Sequence, residues 1–407
     1  MTAPGLRSAV VRAAFDIGSG ATKLCVARVP LIGGGGPEVL HEEEVNILLR
    51  EDLAARGDGR IGAAVLATCA EEIARMQALA RGLGATQYAA VATAVFREAS
   101  NGNAFVQGVL RAELGLNVAI VSQELEGELG HRTAAALAPA GVPPQAIVSY
   151  DSGGGSFQVT CSLGGGGYEC FEGPMGSSNS LALMLELQGR DLGAGDTPNP
   201  ASAADVGALR QAIAARLAAL PVPAGLAAKL EMAGAAGAAG AGRQGEEECI
   251  VCAIGGDTCM FNTARIAVAF TRAVPMAGAV AAAAAVTVAE AEAEEAALWF
   301  SADDVAAAID VLRGSTDAEL EGKGFPQPYM VVTKLVLLEV ALRGLGMGGG
   351  SGDGDGNGGR AATRVRYCAS TGSTLGMFSV PRLWEAQSQS QASPSGRSAS
   401  ENVSNDT

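Results

Sequence analysis

The chain carries one device twice. Ala13-Ala14-Phe15 runs into Asp16-Ile17-Gly18-Ser19-Gly20, and Ile147-Val148-Ser149-Tyr150 runs into Asp151-Ser152-Gly153-Gly154-Gly155-Ser156. Each time a short apolar strand ends on an aspartate and a Gly/Ser turn follows. The chain then re-enters a strand, Leu24-Cys25-Val26-Ala27 after the first turn and Phe157-Gln158-Val159-Thr160 after the second. Glycines let neighbouring backbone N–H groups converge on one anion, an anion nest, and a strand-end aspartate can hold a divalent cation or its water beside that anion. The device suits phosphate. Its repetition predicts two related lobes that clasp one phosphate chain between them.

The rest of the chain sets bounds on that reading. Its 407 residues suffice for two domains. With 48% apolar but only 4% aromatic residues, packing falls to Ala, Val, Leu and Ile. A formal charge of −15 argues against nucleic acid or an anionic membrane as a general partner. A polyanionic substrate would therefore need a local basic lining and Mg²⁺. The first apolar segment is too short and too early for a secretory signal core. The Ala-rich stretch from Ala273 to Ala289, interrupted by Pro275, falls short of a membrane span. Eight cysteines without a signal suggest reduced thiols and a cytoplasmic setting. Cys249 and Cys252 form a C-x-x-C, but within an apolar run that reads as a strand. Residues three apart on a strand face opposite ways, and His41 and His131 are the only histidines, so the pair reads as core rather than as zinc ligands.

Periodicity predicts a hairpin over 12–29, a Gly-rich loop over 31–37 and a short third strand at Val45–Leu49. A helix follows over Ile61–Arg81, a strand at Tyr88–Ala92, a helix at Ala104–Glu113, a strand at Asn117–Val121 and a helix over Gln123–Leu137. The second hairpin opens a similar series. A third strand falls near Tyr168–Phe171, with helices at Leu181–Leu187 and Ala203–Leu220 and a strand at Cys249–Ile254. Ser301 reads as the N-cap of a helix with Asp304 at its third position, Tyr329–Leu342 as a strongly apolar helix, and Arg364–Ala369 as a strand. Strands in threes followed by helices, twice over, predict an α/β protein of duplicated lobes. We place the lobes at 10–138 and 144–380. Ala/Gly-rich insertions are expected at about 232–245, 276–297 and 344–360, and a disordered Ser-rich tail at 387–407.

Four blocks in order resemble the exopolyphosphatase/guanosine pentaphosphate phosphohydrolase (Ppx/GppA phosphatase) family. Ala14-Phe15-Asp16-Ile17-Gly18-Ser19 is similar to the family's A-I-D-[IL]-G-S-N-S. Val91-Ala92-Thr93-Ala94-Val95-Phe96-Arg97, with Asn101-Gly102 and Phe105, is similar to A-T-[SA]-x-x-R…N-x-x-x-F. Val121-Ser122-Gln123-Glu124-Leu125-Glu126 resembles [IV]-S-G-x-E-E-A-R-L, and Val148-Ser149-Tyr150-Asp151-Ser152-Gly153-Gly154-Gly155-Ser156 resembles [VI]-D-[IL]-G-G-G-S-T-E. The resemblance implies two actin-like (ribonuclease H-like) lobes of the actin, hexokinase and heat-shock ATPase superfamily, with a cleft between them, in the short two-domain form. It implies Mg²⁺-dependent hydrolysis of a terminal phosphoanhydride in inorganic polyphosphate or guanosine pentaphosphate, with neither nucleic acid nor membrane as partner; a homodimer is left open. It also implies roles. Glu126 would be the catalytic base, and Asp151 would orient water and, with Asp16, bind metal. Gly18, Ser19, Gly153, Gly154, Gly155 and Ser156 would cradle phosphate, and Arg97 and, more weakly, Lys23 would grip it.

The departures matter too. The family's Asn after the first Gly-Ser is Gly20, its Arg after the catalytic Glu-Ala is Glu128, and its second-hairpin Glu is Gln158, an amide that binds Mg²⁺ less well. A later glycine turn becomes Ile254-Gly255-Gly256-Asp257-Thr258, and the closing turn, Ser370-Thr371-Gly372-Ser373-Thr374-Leu375-Gly376, loses a charged pair. They leave a second reading open, in which the fold is kept for binding while turnover is impaired.

Overall fold

The computed structural model describes residues 9–31, 35–191, 194–239, 249–273, 298–348 and 362–385. The first sheet contains β1 (Ala9–Ile17), β2 (Ala21–Pro30), β3 (Glu38–Asn46), β4 (Gln87–Ala92) and β5 (Val118–Ile120), in the order β3-β2-β1-β4-β5. The first three pair antiparallel, while β4 and β5 join parallel. The second sheet contains β6 (Ile147–Ser152), β7 (Phe157–Gly164), β8 (Gly167–Gly173), β9 (Ile250–Gly255), β10 (Trp299–Phe300) and β11 (Val365–Ala369). Its order is β10-β11-β9-β6-β7-β8, so β8-β7-β6-β9-β11 repeats the first sheet strand for strand and β10 adds an edge. Two such mixed sheets with helices on their faces are duplicated actin-like α/β lobes.

Side chains alternate across the strands, and the inner strands β1 and β6 bury both faces. On β1, Ala13, Phe15 and Ile17 point into a core with Ile73 and Met76 of the helix Ala63–Gly82, whereas Ala14 points into a second cluster with Leu375, Met377, Phe378 and Trp384. In the second lobe, Tyr150, Phe157 and Phe261 form the aromatic centre of the larger core. Cys249 lies in that core and Cys252 in a cluster on the opposite face, so the C-x-x-C is split as a strand dictates. Among the described residues no group of His, Cys, Asp and Glu forms a metal cage.

The second faces are covered crosswise. The helix Gln123–Leu137, which the sequence reading puts in the first lobe, packs on β6, β7, β8 and β9 of the second sheet. The closing helices Thr374–Met377 and Arg382–Glu385 return to β1, β2 and β4 of the first. The two crossing segments also pack on each other: the Gly376 N–H donates to Thr133 Oγ1 at 2.8 Å, and a Cβ on Gly376 would overlap the Leu129 carbonyl.

Several local expectations need correction. The third strand is Glu38–Asn46, and Leu49–Arg56 is a helix. This sheet-edge strand is rich in glutamate, so it lacks the apolar alternation that marks buried strands. The helix expected at Ala104–Glu113 starts at Gly102 and widens into a π-helix from Val106 to Glu113. Residues 232–239, expected within an insertion, continue the helix Ala224–Ala239, because alanine favours helix even at low complexity. The helix Val331–Gly344 runs to the start of the expected 344–360 insertion. Residues 240–245 and 349–360, all of 276–297 and all of 387–407 lie outside the described residues. Ser301 does cap the helix Ala302–Leu312, in a box with Asp304. Among the described residues no helix is long and apolar enough to cross a membrane.

Candidate active site

The two acidic turns meet. Both hairpins close the same way, with Gly18 N–H donating to the Ala21 carbonyl and Gly153 N–H to that of Ser156, each at 2.9 Å. None of Gly18, Gly20, Gly153, Gly154 or Gly155 has a left-handed φ, so the alternating backbone of an anion nest is not what requires glycine here. Close approach is. A Cβ on Gly154 would lie 2.9 Å from Ser178 Oγ and 3.3 Å from Ser19 Cβ, and one on Gly155 would lie 2.6 Å from Arg50 Nη2. The amides of Ser19, Gly20, Gly154 and Gly155 find no acceptor among the described residues, and these residues line one cleft between the lobes. The N-terminus of the helix Ser177–Gln188 sits beside them, with Ser177 and Ser178 N–H donating to the Gly153 and Gly154 carbonyls at 3.0 Å.

The same cleft is lined by Asp16, Lys23, Glu126, Asp151 and Ser156. Asp16 and Asp151 end β1 and β6 as the duplicated pattern requires. Glu126 lies in the first turn of its helix, capped by Ser122, whose hydroxyl accepts from Leu125 N–H. Two glycines bring that helix down onto the second sheet. A Cβ on Gly127 would lie 2.5 Å from Thr160 Oγ1, and one on Gly130 3.4 Å from the Asp151 side chain. The glycine spacing thus sets where Glu126 stands relative to Asp151.

Arg97 is the exception among the expected phosphate ligands, since it does not line the cleft. Its guanidinium donates from Nη1 to Glu126 Oε2 and to the Val121 carbonyl, both at 2.6 Å. It therefore holds the glutamate in place.

Electrostatics separate the carboxylates. Desolvation pushes Glu126 up to about 8, with the charges of Asp16 and Asp151 adding to it against the pull of Arg97. Desolvation likewise lifts Asp151 to about 6, against the pull of Lys23. Asp16 accepts a hydrogen bond from Ser373 Oγ at 2.9 Å and lies 4.0 Å from Lys23 Nζ. Burial disfavours the charge on Lys23, but Asp16, Glu44 and Asp151 outweigh it and raise the ammonium above its usual range. Gln158, where the family pattern has a carboxylate, is buried and donates to Ser156 Oγ at 3.3 Å.

Sequence reasoning missed several cleft residues: Glu44, Glu51, Thr258, Gln327 and Lys334. Glu44 reaches across the lobes to accept from Thr258 Oγ1 at 2.8 Å. Lys334 had a legible signal, as a lone charge in Val331-Val332-Thr333-Lys334-Leu335-Val336-Leu337-Leu338, a run that otherwise packs as core.

Two duplicated α/β lobes therefore meet at a cleft lined by glycine turns and carboxylates. Residues 29–239, just over half of the chain, match the model of the Ppx/GppA phosphatase family, and the chain belongs to that family. Solved structures agree in fold. An Aquifex aeolicus member of the Ppx/GppA family is 15% identical, with 94% of this chain and 99% of that one covered at a TM-score of 0.57. An exopolyphosphatase from Cytophaga hutchinsonii is 14% identical, covering 91% and 98% at 0.58. An exopolyphosphatase-like protein is 17% identical, covering 91% and 97% at 0.59. Among curated protein sequences none matches significantly.

Proposed function

We propose that the protein hydrolyses a terminal phosphoanhydride, releasing orthophosphate from inorganic polyphosphate or guanosine pentaphosphate. One observation carries the reading: a desolvated, Arg-held glutamate lines the same cleft as four backbone amides that lack acceptors among the described residues. The amides of Ser19, Gly20, Gly154 and Gly155, with the Ser156 hydroxyl, would receive the oxygens of the terminal phosphoryl group. Water attacks phosphorus in line with the anhydride oxygen, and its proton passes to Glu126. The P–O bond breaks, and the shortened chain leaves with the electron pair. Arg97 fixes the orientation of Glu126, and Asp151 positions the water.

Mg²⁺ fits this donor set. It is commonly held by one or two carboxylates together with substrate oxygens and waters, which Asp151 and the free oxygen of Asp16 could provide. Glu44 Oε2 and Glu51 Oε1, also lining the cleft, are buried without a hydrogen-bond partner among the described residues. When bound, the ion would neutralise phosphoryl charge and let a polyanion approach an acidic protein.

Phosphate release from polyphosphates of several lengths and from guanosine pentaphosphate, with and without Mg²⁺, tests the reading. Equal release by wild type and Glu126→Ala would remove Glu126 from the mechanism. Gln158 favours a second reading, in which the cleft binds these ligands without turnover. Calorimetric binding with no phosphate released over hours would select it.

A further inference from the structure

Beyond the two turns, the cleft contains a buried cation that the mechanism above does not use. Lys334 is 2% exposed, on the helix Val331–Gly344, whose neighbouring side chains Val331, Val332, Leu335 and Val336 are core. Its ammonium donates to the Thr258 carbonyl at 2.6 Å and to Gln327 Oε1, both neutral oxygens. Two of its three N–H bonds are thus engaged, and no carboxylate lies within ion-pair distance of it among the described residues. A buried ammonium without a counter-ion is costly. Desolvation accordingly lowers it to about 8, although Cys259, Glu44 and Glu51 face it from the second-lobe turn, β3 and the helix Leu49–Arg56.

Its place along the cleft is set by a chain of neighbours. Lys23 Nζ lies 4.0 Å from Asp16, and Lys23 pairs with Glu44 across β2 and β3. Glu44 accepts from Thr258 Oγ1 at 2.8 Å, and the Thr258 carbonyl accepts from Lys334. The order from the first acidic turn is therefore Asp16, Lys23, Glu44, Thr258, Lys334.

We propose that Lys334 is a phosphate-binding residue, taking an oxygen of the phosphoryl units that follow the terminal one. This rests on the phosphohydrolase reading and deepens it, because it makes the cleft a track for a phosphate chain rather than a socket for one phosphate. A phosphoryl oxygen would accept the third N–H and supply the counter-charge that the neutral oxygens lack.

The test is calorimetric binding of magnesium tripolyphosphate and of orthophosphate to wild type and to Lys334→Met, with thermal melts to confirm folding. The expected result is an affinity for tripolyphosphate at least tenfold weaker in the variant and an orthophosphate affinity changed much less, since orthophosphate reaches only the terminal position. Where phosphate is released, the defect should appear in KM more than in kcat and grow with chain length. Equal tripolyphosphate binding by the two proteins, an equal loss for both ligands, or no tripolyphosphate binding by wild type would overturn the proposal. A variant that does not fold is replaced by Lys334→Gln under the same criteria. A binding difference without turnover would uphold Lys334 while refuting hydrolysis, so the two ideas fail separately.

Discussion

The two acidic turns share a backbone plan but differ in electrostatics. Asp16 is met by the Ser373 hydroxyl and by Lys23, so its charge has partners within the protein. Asp151 lies under Gly130 and is pushed up by desolvation to about 6. Duplication supplied two equivalent strand ends, and their surroundings differ. A carboxylate that already has a hydroxyl donor and a cation beside it needs an external partner less than one whose charge is opposed mainly by burial.

The sharpest test of that contrast lies beside the second turn. Glu126→Gln should lower kcat about 10³-fold, within the range of a general base. Thermal melts at pH 7–8 should show the variant to be more stable, because it no longer buries a carboxyl that resists ionisation. Comparable turnover by the variant would break the assignment. Next, Asp151→Asn should cost more activity than Asp16→Asn, whose loss we place at about 10–100-fold because Ser373 and Lys23 already partner Asp16. Mg²⁺ titration should show a weaker apparent affinity in Asp151→Asn. Equal losses would mean that the turns are equivalent after all.

The pH profile is a third test. Glu126 must be ionised to accept a proton, so kcat/KM should rise with pH towards about 8. Stability should move the other way. The folded value lies above the unfolded one, about 4.3, so the folded state holds the extra proton between these limits. This contribution is complete below the lower value and is lost as pH rises through about 8. Melting temperatures of wild type and Glu126→Gln across that window read the difference directly. The smallest effect belongs to Ser373→Ala, which removes one hydrogen bond to a charged group and should cost about 1.5–3 kcal/mol at most in chemical denaturation.

What the sequence made legible was local. Asp16, Asp151 and Glu126 could be found because a strand end, a turn and a helix start each leave a short-range pattern, and the four blocks fall in order. Glu44, Glu51 and Lys334 could not, since they become cleft residues only when distant segments fold together; the Glu44–Thr258 contact spans 214 positions. Arg97 was visible as a charge, but not its direction, which depends on Glu126, 29 residues away. The sequence showed the glycines but not the close contacts between loops that Gly154 and Gly155 permit. The crosswise helices were hidden as well, because an amphipathic pattern reports that a face is buried but not against which sheet.

The Ser373–Asp16 hydrogen bond joins positions 357 residues apart. At about 5–20 residues per second of ribosomal synthesis, the first aspartate would wait roughly 20–70 s for its hydroxyl partner to emerge. Through that interval the nascent N-terminal sheet lacks both the donor and the returning helices that cover it, so the first strand-end aspartate passes through translation without the partner that completes it.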